Sequence, residues 1–287
     1  MPMNGRLLRP RQTIHPEAAD WANRVRTNGG SVSGTTLNAV DRFVKAIHAA
    51  GIRDRFFRVN LFCGNSDASL AAVRTPLFRG QSLTGTQYGN TTDTNAGNLF
   101  VANDYAETGA SGGLIGNGSS KYLATGLPQD FAGNTGHASV YHRGTIATAG
   151  AVFLRVVNAT DRVGVDFGVG ANAVRNWWGP NSGSGIAYAF GTAGGHLIGS
   201  RTASNRNDAY RNGVADGFST ENVTMSLSGA PCQFLVFASG DANGNPQAGT
   251  YTAARLQGYS LGASLTASQA AAFSTAMIAF QTALGRN

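Results

Sequence analysis

Charge is sparse in this 287-residue chain: Asp, Glu, Lys and Arg together make up 13%, and its only glutamates are Glu17, Glu107 and Glu221. With 42% apolar residues beside so little charge, a disordered polyelectrolyte is excluded and a packed core is expected. Cysteine is nearly absent. Cys63 and Cys232 stand far apart and read as buried thiols rather than as part of a disulfide framework. No long apolar run occurs, and the opening MPMNGRLLRPRQ carries positive charge with no hydrophobic segment behind it. Neither a signal peptide nor a membrane-spanning helix is therefore expected, and the chain reads as a soluble product of a cytoplasm.

Lysine is as scarce as glutamate. Only Lys45 and Lys121 occur, so the net charge of +7 comes almost wholly from arginine. Arginine's planar fork suits carboxylates, phosphates and protein interfaces. Arg6, Arg9 and Arg11 sit in the first dozen residues and Arg53, Arg55 and Arg58 form a second group; the others are dispersed, with no basic run or nucleic-acid-binding spacing. The expectation is a partner-facing protein surface, not a nucleic-acid groove.

Glycine is abundant, at 39 residues scattered without a Gly-X-Y period, which points to many tight turns. Residues 1–12 read as an amino-terminal arm and 13–79 as a helical preface. Within the preface, Pro16 suits a first helical turn and Gly29–Gly30 ends that helix. Leu37, Val40, Phe43, Val44 and Ile47 mark a second helix up to Gly51, and FFRVNLFC, from Phe56 to Cys63, reads as extended chain.

Residues 80–287 read as a β-sandwich domain that ends in a helix over 266–284. Its apolar bursts predict strands at Ala138–Arg143, Ala151–Val157, Arg162–Gly168, Ile186–Phe190, His196–Arg201, Asn207–Arg211, Asn222–Leu227, Gln233–Ala238 and Ala254–Leu261. Asn212–Gly213 predicts a type I′ hairpin turn, because both central residues of that turn need positive φ. Thr266 and Gln269 form a capping box before the stripe Phe273, Met277, Phe280 and Leu284.

The closing segment YSLGASLTASQAAAFSTAMIAFQTALGRN, Tyr259 to Asn287, resembles that of a family of tailed-bacteriophage virion proteins. HLIGSRTASNRNDAYRNG (His196 to Gly213), NLFVANDYAETGASGGLIGNGSSKYLATG (Asn98 to Gly126) and PEAADWANRVRTNGGSVSGTTLNAVDRFVKAI (Pro16 to Ile47) extend the resemblance over most of the chain. It implies a mainly β fold: an antiparallel jelly-roll sandwich of the concanavalin A/laminin-G type, with an N-terminal helical preface and a C-terminal helix. It further implies a non-enzymatic virion subunit that decorates or joins capsid, tail or baseplate. Its partners would be other virion proteins and further copies of itself, with assembly in the host cytoplasm.

Concanavalin-like sandwiches also host glycoside hydrolases, which need two facing carboxyl groups. Here the three glutamates are isolated and Asp166 has no carboxylate two or four residues away, so no catalytic residue is assigned. His137 and His142 fall on opposite faces of a strand, and His15, His48 and His196 add no HxH or HxxxH element; the histidines read as surface or interface residues, and no cofactor is expected. Asp241, Asn243 and Asn245 imitate the opening of a calcium loop but lack its closing glutamate, position 252 being Thr252. Trp177, Trp178, Tyr188 and Tyr210 are the candidate stacking surface for a sugar, although alternation along a strand sends one of two adjacent tryptophans into the core. Through those rings a carbohydrate-binding adhesin recognising host surface glycans is the second functional expectation. Arg6, Arg9 and Arg11 are the candidate interface residues.

Overall fold

The computed structural model describes residues 13–65, 70–81, 87–144, 152–167, 173–180, 186–189, 194–222, 224–229 and 231–286. The chain opens with α1 (Pro16–Thr27), α2 (Gly34–Ala49), β1 (Phe56–Asn60) and the short α3 (Ala71–Arg74). Six brief strands follow: β2 (Gly80–Gln81), β3 (Gln87–Tyr88), β4 (Thr94–Asn95), β5 (Tyr105–Ala106), β6 (Gly113–Ile115) and β7 (Leu123–Pro128). Longer strands come next, namely β8 (Gly136–Arg143), β9 (Val152–Val157), β10 (Asp161–Phe167), β11 (Ala173–Pro180) and β12 (Ile186–Ala189). The last group is β13 (Gly195–Ala203), β14 (Arg206–Arg211), β15 (Val214–Ser219), β16 (Gln233–Val236), β17 (Ser239–Gly240), β18 (Arg255–Gly262) and α4 (Ala267–Ala283).

Two large sheets result. The first has the order β15-β14-β13-β8-β18-β6-β5, with β1 also paired to β18; the second runs β12-β11-β10-β9-β16-β7-β4, with β17 on β9. All these pairings are antiparallel except β17 with β9. Phe153 and Phe234 of the second sheet, with Phe237 just after β16, meet Val140, Leu197, Leu256 and Leu261 of the first in one core. The opposite face of the first sheet carries Tyr141, Ile198 and Tyr210, which pack with Trp21, Phe43, Phe273, Met277 and Phe280 of the helices in a second core. The first sheet is therefore the middle layer, covered on both faces.

The jelly-roll expectation is corrected by this topology. A jelly roll is built of two Greek keys, whereas β9, β10, β11 and β12 stay side by side in one sheet as an up-and-down meander, and β13, β14 and β15 do the same in the other. What the chain forms is two large antiparallel sheets flanked by N- and C-terminal helices. The preface is not an independent layer either, since β1 pairs with β18 over Arg58↔Leu261 and Asn60↔Tyr259.

Local signals account for most element ends. Pro16 stands in the first turn of α1 and His15 caps it, its Nδ1 accepting from the Glu17 amide at 3.3 Å. Ser33 caps α2, and Thr266 with Gln269 forms the capping box of α4. Asn212 (φ 51°) and Gly213 (φ 82°) make the turn between β14 and β15. β11, which carries both tryptophans, was not among the expected strands, and no strand lies at 222–227 among the described residues. No described helix is long and apolar enough to cross a membrane.

Candidate functional site

At one end of the middle sheet a cavity of about 470 Å³ opens among Tyr141, His142, Arg143, Asn212, Gln257, Ile278 and Arg286. β8 ends there, the β14–β15 turn approaches from one side, and the end of α4 closes the other. Asn212 holds its wall in place: its Oδ1 accepts the His196 amide at 2.9 Å, and its own amide donates to the His196 carbonyl at 2.8 Å. Gly195 leaves room for the Asn212 side chain, since a Cβ there would sit 2.7 Å from Asn212 Oδ1.

Arg286 and Gln257, both fully buried, form the floor. Arg286 donates from Nε to the Glu107 carbonyl at 2.5 Å and from Nη2 to the Phe62 carbonyl at 2.9 Å. Its charge lies 3.7 Å from Glu107 Oε2. That carboxylate is satisfied separately by the Thr36 hydroxyl, the Gly64 amide and the Tyr105 hydroxyl. Burial, ahead of the opposing effects of Arg286 and Glu107, pushes the Tyr105 phenol well above its usual range, so the phenol is a donor in this cluster. Gly112 leaves room for the arginine stem, since a Cβ at that position would fall 2.5 Å from Arg286 Cγ.

Two floor atoms have no hydrogen-bond partner among the described residues: Arg286 Nη1, a donor, and Gln257 Oε1, an acceptor. The Gln257 amide has one sensible orientation, because its Nε2 donates to the Gly112 carbonyl at 3.0 Å and faces the Arg286 carbonyl at 3.4 Å. Unmet buried polar atoms each cost about 1–3 kcal/mol and are rare in folded proteins. The cavity is also electropositive. Arg143 joins Arg286 in its lining, and no carboxylate is among the described lining residues. Nearby Arg255 has a lowered pKa, through desolvation first and the charge of Arg286 second. His142 is held neutral, its pKa brought down to about 4 by burial, with its ring stacked on Phe153 at 5.2 Å.

A second cluster lies at the junction of α1 and α2. His48 Nε2 is 2.7 Å from Glu17 Oε2, and Arg53 Nε donates to Glu17 Oε1 at 2.7 Å. The rings of His15 and His48 lie 4.5 Å apart. Burial alone would raise the Glu17 carboxyl, but His48 and Arg53 outweigh it and hold the group below its ordinary range. A groove of about 350 Å³ lined by Glu17, Asp20, Arg24, Arg53, Phe78 and Arg79 runs beside this cluster.

The residues expected from the sequence are not gathered at either place. Trp178 (3% exposed) and Tyr210 (4% exposed) are buried in the two cores and offer no free ring face to a sugar. Trp177 and Tyr188 belong to β11 and β12, paired with Gly164 and Val174, and their side chains lie outside the described residues. Asp241 Oδ1 is taken by the amides of Asn243 and Asn245, each at 2.8 Å, so this loop closes on itself as an Asx turn. Arg6, Arg9 and Arg11 fall outside the described residues. The expectation of surface histidines is corrected for His137, His142 and His196, which are at most 2% exposed. Among the cavity residues, Asn212 had a sequence signal, as the first central residue of the expected hairpin turn.

No protein-family model matches the sequence. No curated protein matches it either. Among solved structures, the chain is similar to the Trypanosoma rangeli sialidase, with 11% identity and a TM-score of 0.47 over 83% of this chain and 39% of that one. It is also similar to domain 4 of an extracellular arabinanase from Geobacillus stearothermophilus in complex with arabinotriose, with 13% identity and a TM-score of 0.45 over 77% of this chain and 98% of that one. A structure of botulinum neurotoxin type C, described by its interaction with two ganglioside molecules, aligns at 9% identity and a TM-score of 0.40 over 57% of this chain and 42% of that one. The chain thus spans about 39% of the length of the sialidase it matches.

By their own descriptions these neighbours are a sialidase, an arabinanase domain in complex with arabinotriose and a neurotoxin that interacts with gangliosides. The expected kinship with tailed-phage virion proteins is corrected accordingly, together with the non-enzymatic role in capsid, tail or baseplate and the virion-protein partners. At such identities and TM-scores, no activity passes from any neighbour to this chain.

Proposed function

We propose that this chain is a glycan-binding protein whose saccharide sits in the cavity between the end of β8, the β14–β15 turn and α4. One observation carries the reading: two residues of one cavity's lining, Arg286 and Gln257, each hold a buried polar atom, the donor Nη1 and the acceptor Oε1, with no partner among the described residues. A sugar hydroxyl both donates and accepts, so a pair of neighbouring hydroxyls answers both atoms. The volume lies within the range of ordinary small-ligand sites. Tyr141 and Ile278 supply apolar contact, Asn212 further polar contact, and Arg143 with Arg286 favours a saccharide that carries a carboxylate or sulfate.

A glycan array holding neutral and acidic saccharides, followed by calorimetry on the hits, tests this. Saturable binding to acidic members, weakened about tenfold or more in Arg143→Ala by loss of a charge-assisted contact, is the expected result. Absence of saturable binding to any saccharide, or binding indifferent to Arg143→Ala and Gln257→Glu alike, would overturn it.

A further inference from the structure

The histidines show no metal spacing along the sequence, yet folding brings two of them to one carboxylate. One ligand atom each from His15, Glu17 and His48 lie within 4.8 Å of one another. We propose that these three residues form a binding site for a transition-metal dication, zinc above all, with its remaining coordination position open to solvent.

Ligand type supports the choice of metal. Two imidazoles and one carboxylate suit zinc and its neighbours, whereas magnesium and calcium take oxygen donors. Zinc commonly uses three protein ligands plus water where a site stays open. Its bonds of about 2.1 Å place tetrahedral ligand atoms roughly 3.4 Å apart, so the His48–Glu17 pair, now at 2.7 Å, must open by about 0.7 Å and the widest separation, at most 4.8 Å, must close by up to about 1.4 Å, shifts within reach of side-chain rotation. His48 is exposed while His15 and Glu17 are half-buried, so entry requires no opening of the core.

The surroundings hold the ligands in place. Asp41, fully buried, accepts the His15 amide at 2.6 Å, and Lys45 ties Asp41 to the Thr13 carbonyl, which fastens the start of α1 to α2. Arg53 engages only Glu17 Oε1 and is itself fixed by the Phe56 carbonyl at 3.0 Å and by the Phe78 ring, 3.7 Å below. That leaves Oε2, now 2.7 Å from His48 Nε2, as the metal-facing oxygen. The metal replaces the proton shared there, and the His48 ring carries its proton on Nδ1 instead. A cation held against a ligating carboxylate, as Arg53 is against Glu17, is the kind of outer contact that orients a metal ligand.

The experiment is calorimetric titration of the full chain, without a histidine tag, with Zn²⁺, and with Co²⁺ followed by absorption. One equivalent is expected, with affinity lowered about tenfold or more in His48→Ala and in Glu17→Gln. Circular dichroism and melting of those variants without metal should match the parent, because the altered side chains are not in the core. Ring ¹⁵N shifts in the unaltered protein give an assignment independent of any variant, with His15 and His48 expected to move and His137, His142 and His196 to stay. No saturable uptake below about 1 mM, a range well short of ordinary zinc sites, would overturn the site. So would one-equivalent binding that survives in the His48→Ala/Glu17→Gln double variant, or shifts confined to other histidines.

Discussion

His196 and Ser274 are joined at 2.9 Å from Nδ1 to Oγ across the boundary between the middle sheet and α4. The contact belongs to a buried chain. His196 Nε2 meets Ser139 Oγ at 3.2 Å, Ser139 meets Ser260 at 2.7 Å, Ser260 meets His137 Nε2 at 2.9 Å, and His137 Nδ1 meets the Ala263 carbonyl at 2.7 Å. Burial lowers the pKa of His137 to about 4 and that of His196 to about 3, with the neighbouring His137 contributing to the latter.

Stability should therefore fall on mild acidification. His137, His142 and His196 all have folded-state values below the unfolded value of about 6.5, so below that pH the unfolded chain takes up protons that the folded chain refuses. The contribution is intact above about 6.5 and is lost as pH drops towards 4, at about 1.4 kcal/mol per pH unit for each histidine. Urea unfolding at neutral pH and near pH 5 measures this, and equal free energies at the two would contradict it.

Ser274→Ala should cost about 1–3 kcal/mol, because it leaves His196 Nδ1 buried and unmet under α4. Denaturant midpoints read the loss. An unchanged midpoint would mean that the serine chain contributes nothing.

Asp93→Asn should be more damaging, by about 3–5 kcal/mol. Arg58 and Asp93 are both fully buried and meet at 2.6 Å, with Tyr259 donating to the same carboxylate and Asn60 reaching its other oxygen. Burial alone would lower the Arg58 pKa, but Tyr259 and Asp93 outweigh it and raise it. The amide leaves that guanidinium without its counter-charge, and thermal melting should show the largest drop of the variants considered. A loss under about 1 kcal/mol, the scale of an exposed pair, would refute the argument.

Gly112→Ala should disturb the saccharide cavity although residue 112 is not itself in the lining. The new methyl would fall on the Arg286 stem, an overpacking worth about 1–3 kcal/mol, and Arg286 must shift to relieve it. Weaker saccharide binding together with a lower melting temperature is expected; parent-like behaviour in both would show that the arginine does not depend on that space.

Much of the local structure was legible because its causes lie within a few residues. Pro16, Gly29, Gly51, the Thr266–Gln269 box and the Asn212–Gly213 turn each act on neighbouring backbone groups, and they bound the elements near the expected positions. β11 escaped because NWWGP shows neither alternation nor a clean boundary, and 222–227 looked strand-like although no strand lies there among the described residues. The candidate sites were scarcely legible. Arg286 reaches Glu107 over 179 positions, and His48 meets Glu17 over 31, distances at which spacing along a chain carries no geometric meaning.

Local residue order set where helices begin and end, where the main hairpin turns, and that apolar strands would dominate beyond residue 80. Tertiary structure alone decided which strands became neighbours, that the first sheet would be covered on both faces, and that Trp178 and Tyr210 would be spent on the cores. The physical reason is range. Caps and turns satisfy hydrogen bonds close at hand, whereas sheet order and the meeting of distant side chains follow from burying two apolar faces at once, a condition that no short stretch of chain states.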